Sequence, residues 1–219
     1  MTRRPTHAPS RILAGAALAL AALAAGCNIV GPAFLAIHGP EKVGTVYQLD
    51  HTKTGVVFVD DPASRVAQRR LRTQIGAVAT QDLLDKKVVL DMIDTRSIMT
   101  VSAKDRHGSV LSMQELGEAV GADFIIHALV TEFTLSADGV SNMPTATLQV
   151  RVYDVLQQKT VWPSGDGEMY PLTIQARNMP GFAPQGDERL AAEGKLADQL
   201  GLALAQLFYK HEITEDARH

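Results

Sequence analysis

The sequence predicts an α/β (α+β) fold: a mixed sheet of about four to five strands flanked by helices, with a long C-terminal helix packed on the sheet. Three observations predict it. Gly55–Val59 and Phe124–Val130 are short, almost wholly apolar runs rich in β-branched residues, the pattern of strands covered on both faces. Ala146, Leu148, Val150 and Val152 alternate with Thr147, Gln149, Arg151 and Tyr153, as in an antiparallel strand with one wetter face. Leu190, Ala197, Leu200, Leu204, Leu207 and Phe208 recur at helical spacing, broadened by Leu196, Ala203 and Tyr209, so this last helix has an apolar stripe to bury.

The N-terminus has its own logic. Arg3, Arg4 and Arg11 precede Ile12–Ala25, an unbroken run of 14 apolar or small residues. As a helix it spans roughly 21 Å, short of the ~30 Å hydrocarbon core, so it reads as a processed secretory signal and not as a retained span. Leu23-Ala24-Ala25-Gly26-Cys27 closes it, and Cys27 is the one cysteine of the chain. Small residues before a cysteine look like a lipobox, with cleavage between Gly26 and Cys27 and lipidation of the Cys27 thiol. Paired acyl chains anchor stably where one is marginal. Asn28 stands where aspartate retains enterobacterial lipoproteins at the inner membrane, so the resemblance implies the outer membrane, facing the periplasm.

The organisation expected is residues 1–26 as signal peptide, 27–53 as lipidated N-terminus and tether, 54–212 as a single α/β domain and 213–219 as a polar tail. Loss of Arg3, Arg4 and Arg11 would leave 18 Lys and Arg against 24 Asp and Glu, a charge of −6. That balance disfavours nucleic acid or anionic lipid as a general partner. With Cys27 lipidated there is no disulfide and no cysteine metal site, so stability must come from packing.

In chain order, Gly31-Pro32, Gly39-Pro40 and Gly44 punctuate the tether. After the strand at Gly55–Val59, Asp61 suits a helix N-cap and Pro62 a first helical residue, with the helix running to about Leu84. Val66, Ile75, Val78 and Leu71 mark its apolar side, and Arg65, Arg69 and Arg72 a basic stripe at spacings of four and three. Lys86–Lys104 reads as a short strand at Val88–Leu90 and then a helical turn or two. Ser112-Met113-Gln114-Glu115 is a capping box, and Gly121 is the expected helix stop. A strand at Val161-Trp162 and another over Met169–Ile174, pushed to an edge by Pro171, follow the alternating strand. Arg177–Gly186 reads as a surface loop, and the last helix starts near Asp187.

Three groups invite chemistry. Asp60-Asp61 after an apolar strand is similar to the acidic pair of a phospho-receiver domain, yet no later buried strand delivers the phospho-accepting aspartate that chemistry needs. His127, alone in an apolar strand, reads as a hydrogen-bonded core residue with no second metal ligand in a spacing pattern. The stripe of Arg65, Arg69 and Arg72 offers a docking face for an acidic partner or a cell-wall polymer, or else is a solvated helix face.

At Leu116-Gly117-Glu118-Ala119-Val120-Gly121-Ala122-Asp123-Phe124-Ile125-Ile126 the chain resembles a recurring envelope module. Leu-Gly, then Gly-Ala-Asp and an apolar strand, recur in the curli-secretion lipoprotein family. They recur also in the N-terminal domain of the Tol-system propeller protein and in the lipoprotein activators of penicillin-binding proteins. Val56–Val59, Val152-Tyr153-Asp154 and Val161-Trp162 extend the likeness from Thr54 to Trp162. The resemblance implies a non-enzymatic α/β adaptor. The long membrane-spanning hairpins of the curli channel and the long tether of the synthase activators have no counterpart here, so neither specific job transfers.

The reading is a lipid-anchored envelope lipoprotein acting as a binding, scaffold or assembly module on the periplasmic face of the outer membrane. It needs no cofactor or metal, and its expected partners are the membrane, through the lipid, and an envelope protein. Two alternatives stay open: a magnesium-dependent phosphotransfer or hydrolase domain using Asp60 and Asp61, and a purely structural subunit of an outer-membrane complex.

Overall fold

The computed structural model describes residues 42–104, 111–165, 167–175 and 179–212. Its elements in order are β1 (Lys42–Val43), β2 (Gly55–Asp60), α1 (Arg69–Asp85), β3 (Met92–Ile93), α2 (Thr95–Lys104), α3 (Met113–Val120) and β4 (Phe124–Thr134). There follow β5 (Ser141–Asn142), β6 (Thr145–Asp154), β7 (Lys159–Trp162), β8 (Tyr170–Gln175), β9 (Met179–Phe182), α4 (Gly186–Gln206) and β10 (His211–Glu212). The central sheet has six strands in the order β3-β2-β4-β6-β7, with β8 also paired to β6. β2 runs parallel to β3 and β4, and β6 is antiparallel to β4, β7 and β8.

Each strand takes its place from its residue pattern. β2 and β4 are apolar on both faces, and they occupy the centre, paired in register from Gly55 with Phe124 to Asp60 with Leu129. β6 alternates strictly between buried and half-buried positions, as a strand with one core-facing side must. Asp123 sets the register of the centre: its carboxylate accepts from the Thr54 amide at 2.8 Å, and its own amide donates to the Thr54 carbonyl at 2.8 Å. The Gly-Ala-Asp motif thus has a local cause. Gly121 ends α3 in the left-handed conformation (φ 76°), and Asp123, two residues on, latches β4 onto the start of β2. The capping box at the head of α3 is complete, with the Ser112 hydroxyl accepting from the Glu115 amide and the Glu115 carboxylate accepting from the Ser112 amide.

Helices cover both faces. Val57, Val59, Ile126, Ala128, Leu148 and Val150 point to one side and bury against Leu71, Ile75, Leu200 and Leu204 of α1 and α4. Val56, Phe58 and Ile125 point to the other and bury against Ile98, Met99 and Leu116 of α2 and α3. Thr95, buried at the head of α2, donates its hydroxyl to the Val57 carbonyl and ties that helix to the sheet. The long C-terminal helix packs against α1 and the sheet. Among the described residues no helix is long and apolar enough to cross a membrane.

Four local expectations need correction. α1 starts at Arg69, not Pro62, because the Asp61 carboxylate accepts from the amides of Arg65 and Val66 (both 2.9 Å) and closes a turn there. Ser64, at φ 54°, interrupts any helical run. The strand after α1 falls at Met92–Ile93; Val89 is buried but Val88–Leu90 form no ladder, and α2 is ten residues long where a turn or two was expected. Met179–Phe182 is a strand paired with β5, inside what reads as a surface loop. Leu190 is 43% exposed, so the apolar stripe of α4 begins in earnest only at Leu196. Ahead of β2, Leu49 is buried, Tyr47 stacks on Trp162 with ring centroids 5.6 Å apart, and Lys53 bonds Asp154 at 2.6 Å. The described residues from Val43 to Lys53 thus pack with the sheet and helices in one compact unit.

Candidate functional site

Parallel strands converge their C-terminal ends on the place where open α/β sheets bind ligands. In this chain β2 ends there, in Asp60. A cleft of about 260 Å³ opens beside it, between the first turn of α1, the C-terminal half of α2 and the start of α3. Its floor is apolar, made by Phe58, Met99, Met113 and Leu116. Its rim is charged, with Asp60 and Asp61 at the strand end and Arg69 and Arg72 on α1.

The turn closed by Asp61 decides which arginines meet. Had the helix begun at Pro62, Arg65, Arg69 and Arg72 would form one stripe. Instead Arg65 lies on the turn and lines a separate cleft with Phe133, Arg189 and Glu193. Arg69 and Arg72 share the cleft with Asp60. The Arg69 guanidinium is held across it by a 2.9 Å bond from Nη2 to the Met99 carbonyl. Arg72 is different. Its Nε is buried without a hydrogen-bond partner among the described residues.

The two aspartates divide their work. Both oxygens of Asp61 accept backbone amides of the turn, which makes Asp61 a structural cap and takes it out of a free acidic pair. Asp60 faces His127, with Oδ2 at 3.3 Å from Nε2. Arg151, opposite His127 on β6, donates from Nε to His127 Nδ1 at 3.0 Å. With Nδ1 accepting, the ring is neutral and carries its proton on Nε2, toward Asp60. Burial pushes the His127 pKa down; the Asp60 bond opposes this and the Arg151 charge adds to it. His127 also stacks on Phe58, ring centroids 5.6 Å apart. It is the hydrogen-bonded core residue the sequence suggested. Among the described residues no group of three or more His, Cys, Asp or Glu is placed to hold a metal ion. An acidic pair for magnesium thus has, among the described residues, neither a free Asp61 carboxylate nor a third ligand.

Sequence reading singled out Arg65, Arg69, Arg72, Asp60 and Asp61; it missed Met99, Met113 and Phe58 as a floor. Only the position of Asp60 at the end of a parallel strand signals that a cleft lies there. Gly26 and Cys27, the expected cleavage and lipidation positions, lie outside the described residues.

No family model and no curated protein sequence matches the chain. Solved structures do. The PelC dodecamer from Paraburkholderia phytofirmans is similar at a TM-score of 0.38 and 11% identity, covering 77% of this chain and 96% of that one. Lipoprotein GNA1162 from Neisseria meningitidis is similar at a TM-score of 0.37 and 13% identity, over 65% and 90% of the two chains. The LpoB C-terminal domain from Salmonella enterica is similar at a TM-score of 0.36 and 9% identity, over 57% and 84%. At such scores the functional reading rests on the chain's own residues.

Proposed function

We propose that this protein is a lipid-anchored, non-enzymatic binding module of the bacterial envelope, held by Cys27 on the periplasmic face of the outer membrane. The observation that carries the reading is the sequence up to Cys27: the basic start at Arg3, Arg4 and Arg11, the apolar run Ile12–Ala25 too short to span, and small residues before a lone cysteine. The described domain supports the non-enzymatic part. Asp61 caps a turn, His127 is locked between Asp60 and Arg151, and the catalytic arrangements that such residues would suggest are otherwise engaged. The cleft at Asp60, Arg69 and Arg72 is the binding site in this reading, and Asn28 after the cysteine supports the outer membrane.

Fractionation with a Cys27→Ser variant tests the anchor. Wild-type protein should enter the detergent phase, and its mature N-terminal peptide should carry acyl mass. The serine variant should run in the aqueous phase or retain its signal. Identical partitioning of the two proteins would overturn the anchor.

A further inference from the structure

Arg72 is the least settled charge among the described residues. Its Nε is buried and unpartnered, while the neighbouring Arg69 is fixed by the Met99 carbonyl. Neither aspartate on the rim pairs with Arg72. Asp61 is bonded to the turn, and Asp60 bonds His127. Buried polar groups without a partner are rare in folded proteins, and although Arg72 is half-exposed as a whole, its Nε–H is shielded from water with nothing to accept it. Immediately below lies the apolar floor of Phe58, Met99, Met113 and Leu116.

We propose that this cleft binds a small monoanion: a free carboxylate carried on an apolar residue, such as an N-acylated apolar amino acid or the C-terminal residue of a peptide. The inference rests on the cleft's being the binding site of a non-enzymatic module. Three features select this chemistry. The planar guanidiniums of Arg69 and Arg72 suit a carboxylate, which accepts paired N–H bonds. The floor suits one aliphatic side chain. The volume, about 260 Å³, is below the ~300–1,000 Å³ of sites for drug-sized ligands, so the occupant is small. Asp60 sets the charge: a carboxylate on the same rim disfavours a dianion such as phosphate more than a monoanion.

The test is a ligand-observed NMR titration of the whole protein, purified from whichever fraction holds it, with N-acetylleucine, N-acetylleucinamide, acetate and inorganic phosphate as probes. N-acetylleucine should bind with a millimolar or tighter dissociation constant. The amide, which lacks the charge, should bind at least tenfold more weakly, and so should acetate, which lacks the side chain. Arg72→Met should lose binding at least tenfold while melting no lower than wild type, because the substitution removes the unpartnered Nε. Arg65→Met, in the other cleft, should bind as wild type does. A peptide ending in free leucine that binds more tightly than N-acetylleucine assigns the carboxylate to a chain terminus; equal binding assigns it to a free acid.

Equal binding of acid and amide, stronger binding of phosphate, or silence from N-acetylleucine at 10 mM, well above ~1 mM affinity, would overturn the proposal. The acid–amide comparison uses wild-type protein and so does not depend on any variant's folding. Fractionation of Cys27→Ser is untouched by these results, so a failed titration and a failed anchor are told apart.

Discussion

At the scale of single residues, His127 is the most consequential buried group. Burial pushes its pKa down, and Arg151 donating to Nδ1 resists a second ring proton, while Asp60 pulls the other way. Below pH ~6.5 the unfolded chain binds a proton at this histidine that the folded chain refuses. The associated stability is therefore complete above pH ~6.5 and is lost as pH falls toward the lowered folded value, with a slope of at most about 1.4 kcal/mol per pH unit. Glutamine at this position can accept from Arg151 and donate to Asp60 without titrating. His127→Gln should flatten the dependence of melting temperature on pH between about 5 and 6.5. Thermal denaturation of both proteins across that range checks it; parallel pH profiles would assign the slope to other groups. His127 was legible in the sequence as a satisfied core residue because one histidine in an apolar strand has few other options. Its partners were not legible, since only the strand pairing places Arg151 opposite it and Asp60 at the end of β2.

At the scale of elements, signals confined to a few neighbouring residues were readable and those set by tertiary contact were not. The capping box at Ser112, the stop at Gly121 and the alternation of β6 are written in adjacent positions, and all three formed. Asp61 also has the chemistry of a cap, but it caps a turn, because its carboxylate reaches the amides four and five residues on while Val66 drops into the core. That displacement moved the start of α1 by seven residues and split the arginine stripe between two clefts. β3, with two residues, is too short to carry a period at all. The crossing of α1 and α4 is another tertiary feature. A Cβ added at Gly201 would lie 2.6 Å from the Ile75 carbonyl oxygen, whereas one at Gly194 meets nothing nearer than Gln74 at 3.9 Å. Helix propensity favours alanine over glycine by about 1 kcal/mol at either site. Gly194→Ala should thus stabilise by up to about 1 kcal/mol, and Gly201→Ala should destabilise by about 1–3 kcal/mol as the helices are forced apart. Chemical denaturation of the pair reads the sign directly. Stabilisation by both would mean the helices separate freely.

At the scale of the whole molecule, the relation between anchor and domain depends on where folded packing begins. The sequence places the start at Thr54 because glycines and prolines crowd the preceding stretch. Those residues restrict long elements, but they do not prevent an extended segment from packing. Tyr47 lies on Trp162, Leu49 is buried in the main core, and Lys53 meets Asp154, itself only 3% exposed. Burial raises the Asp154 carboxyl, but the bonds from Lys53 and Gln157 outweigh it and hold it below the ordinary carboxylate range. Asp154 is thus a buried charge whose cation comes from the segment ahead of β2. A chain beginning at Thr54 loses the apolar burial of Leu49 and leaves Asp154 without Lys53. One beginning at Val43 keeps both. The shorter chain should be less stable by at least about 3 kcal/mol, a drop of roughly 6–12 °C in Tm for a domain of this size. The longer should melt with the full-length protein. Scanning calorimetry of the two truncations separates the outcomes, and equal melting temperatures would return the segment to the tether. If the Val43 start holds and Cys27 is the anchor, 15 residues (28–42) separate lipid and fold, where 26 (28–53) would under a start at Thr54. The sequence available between the Cys27 thiol and the packed residues is then shorter by 11 positions than a start at Thr54 would leave.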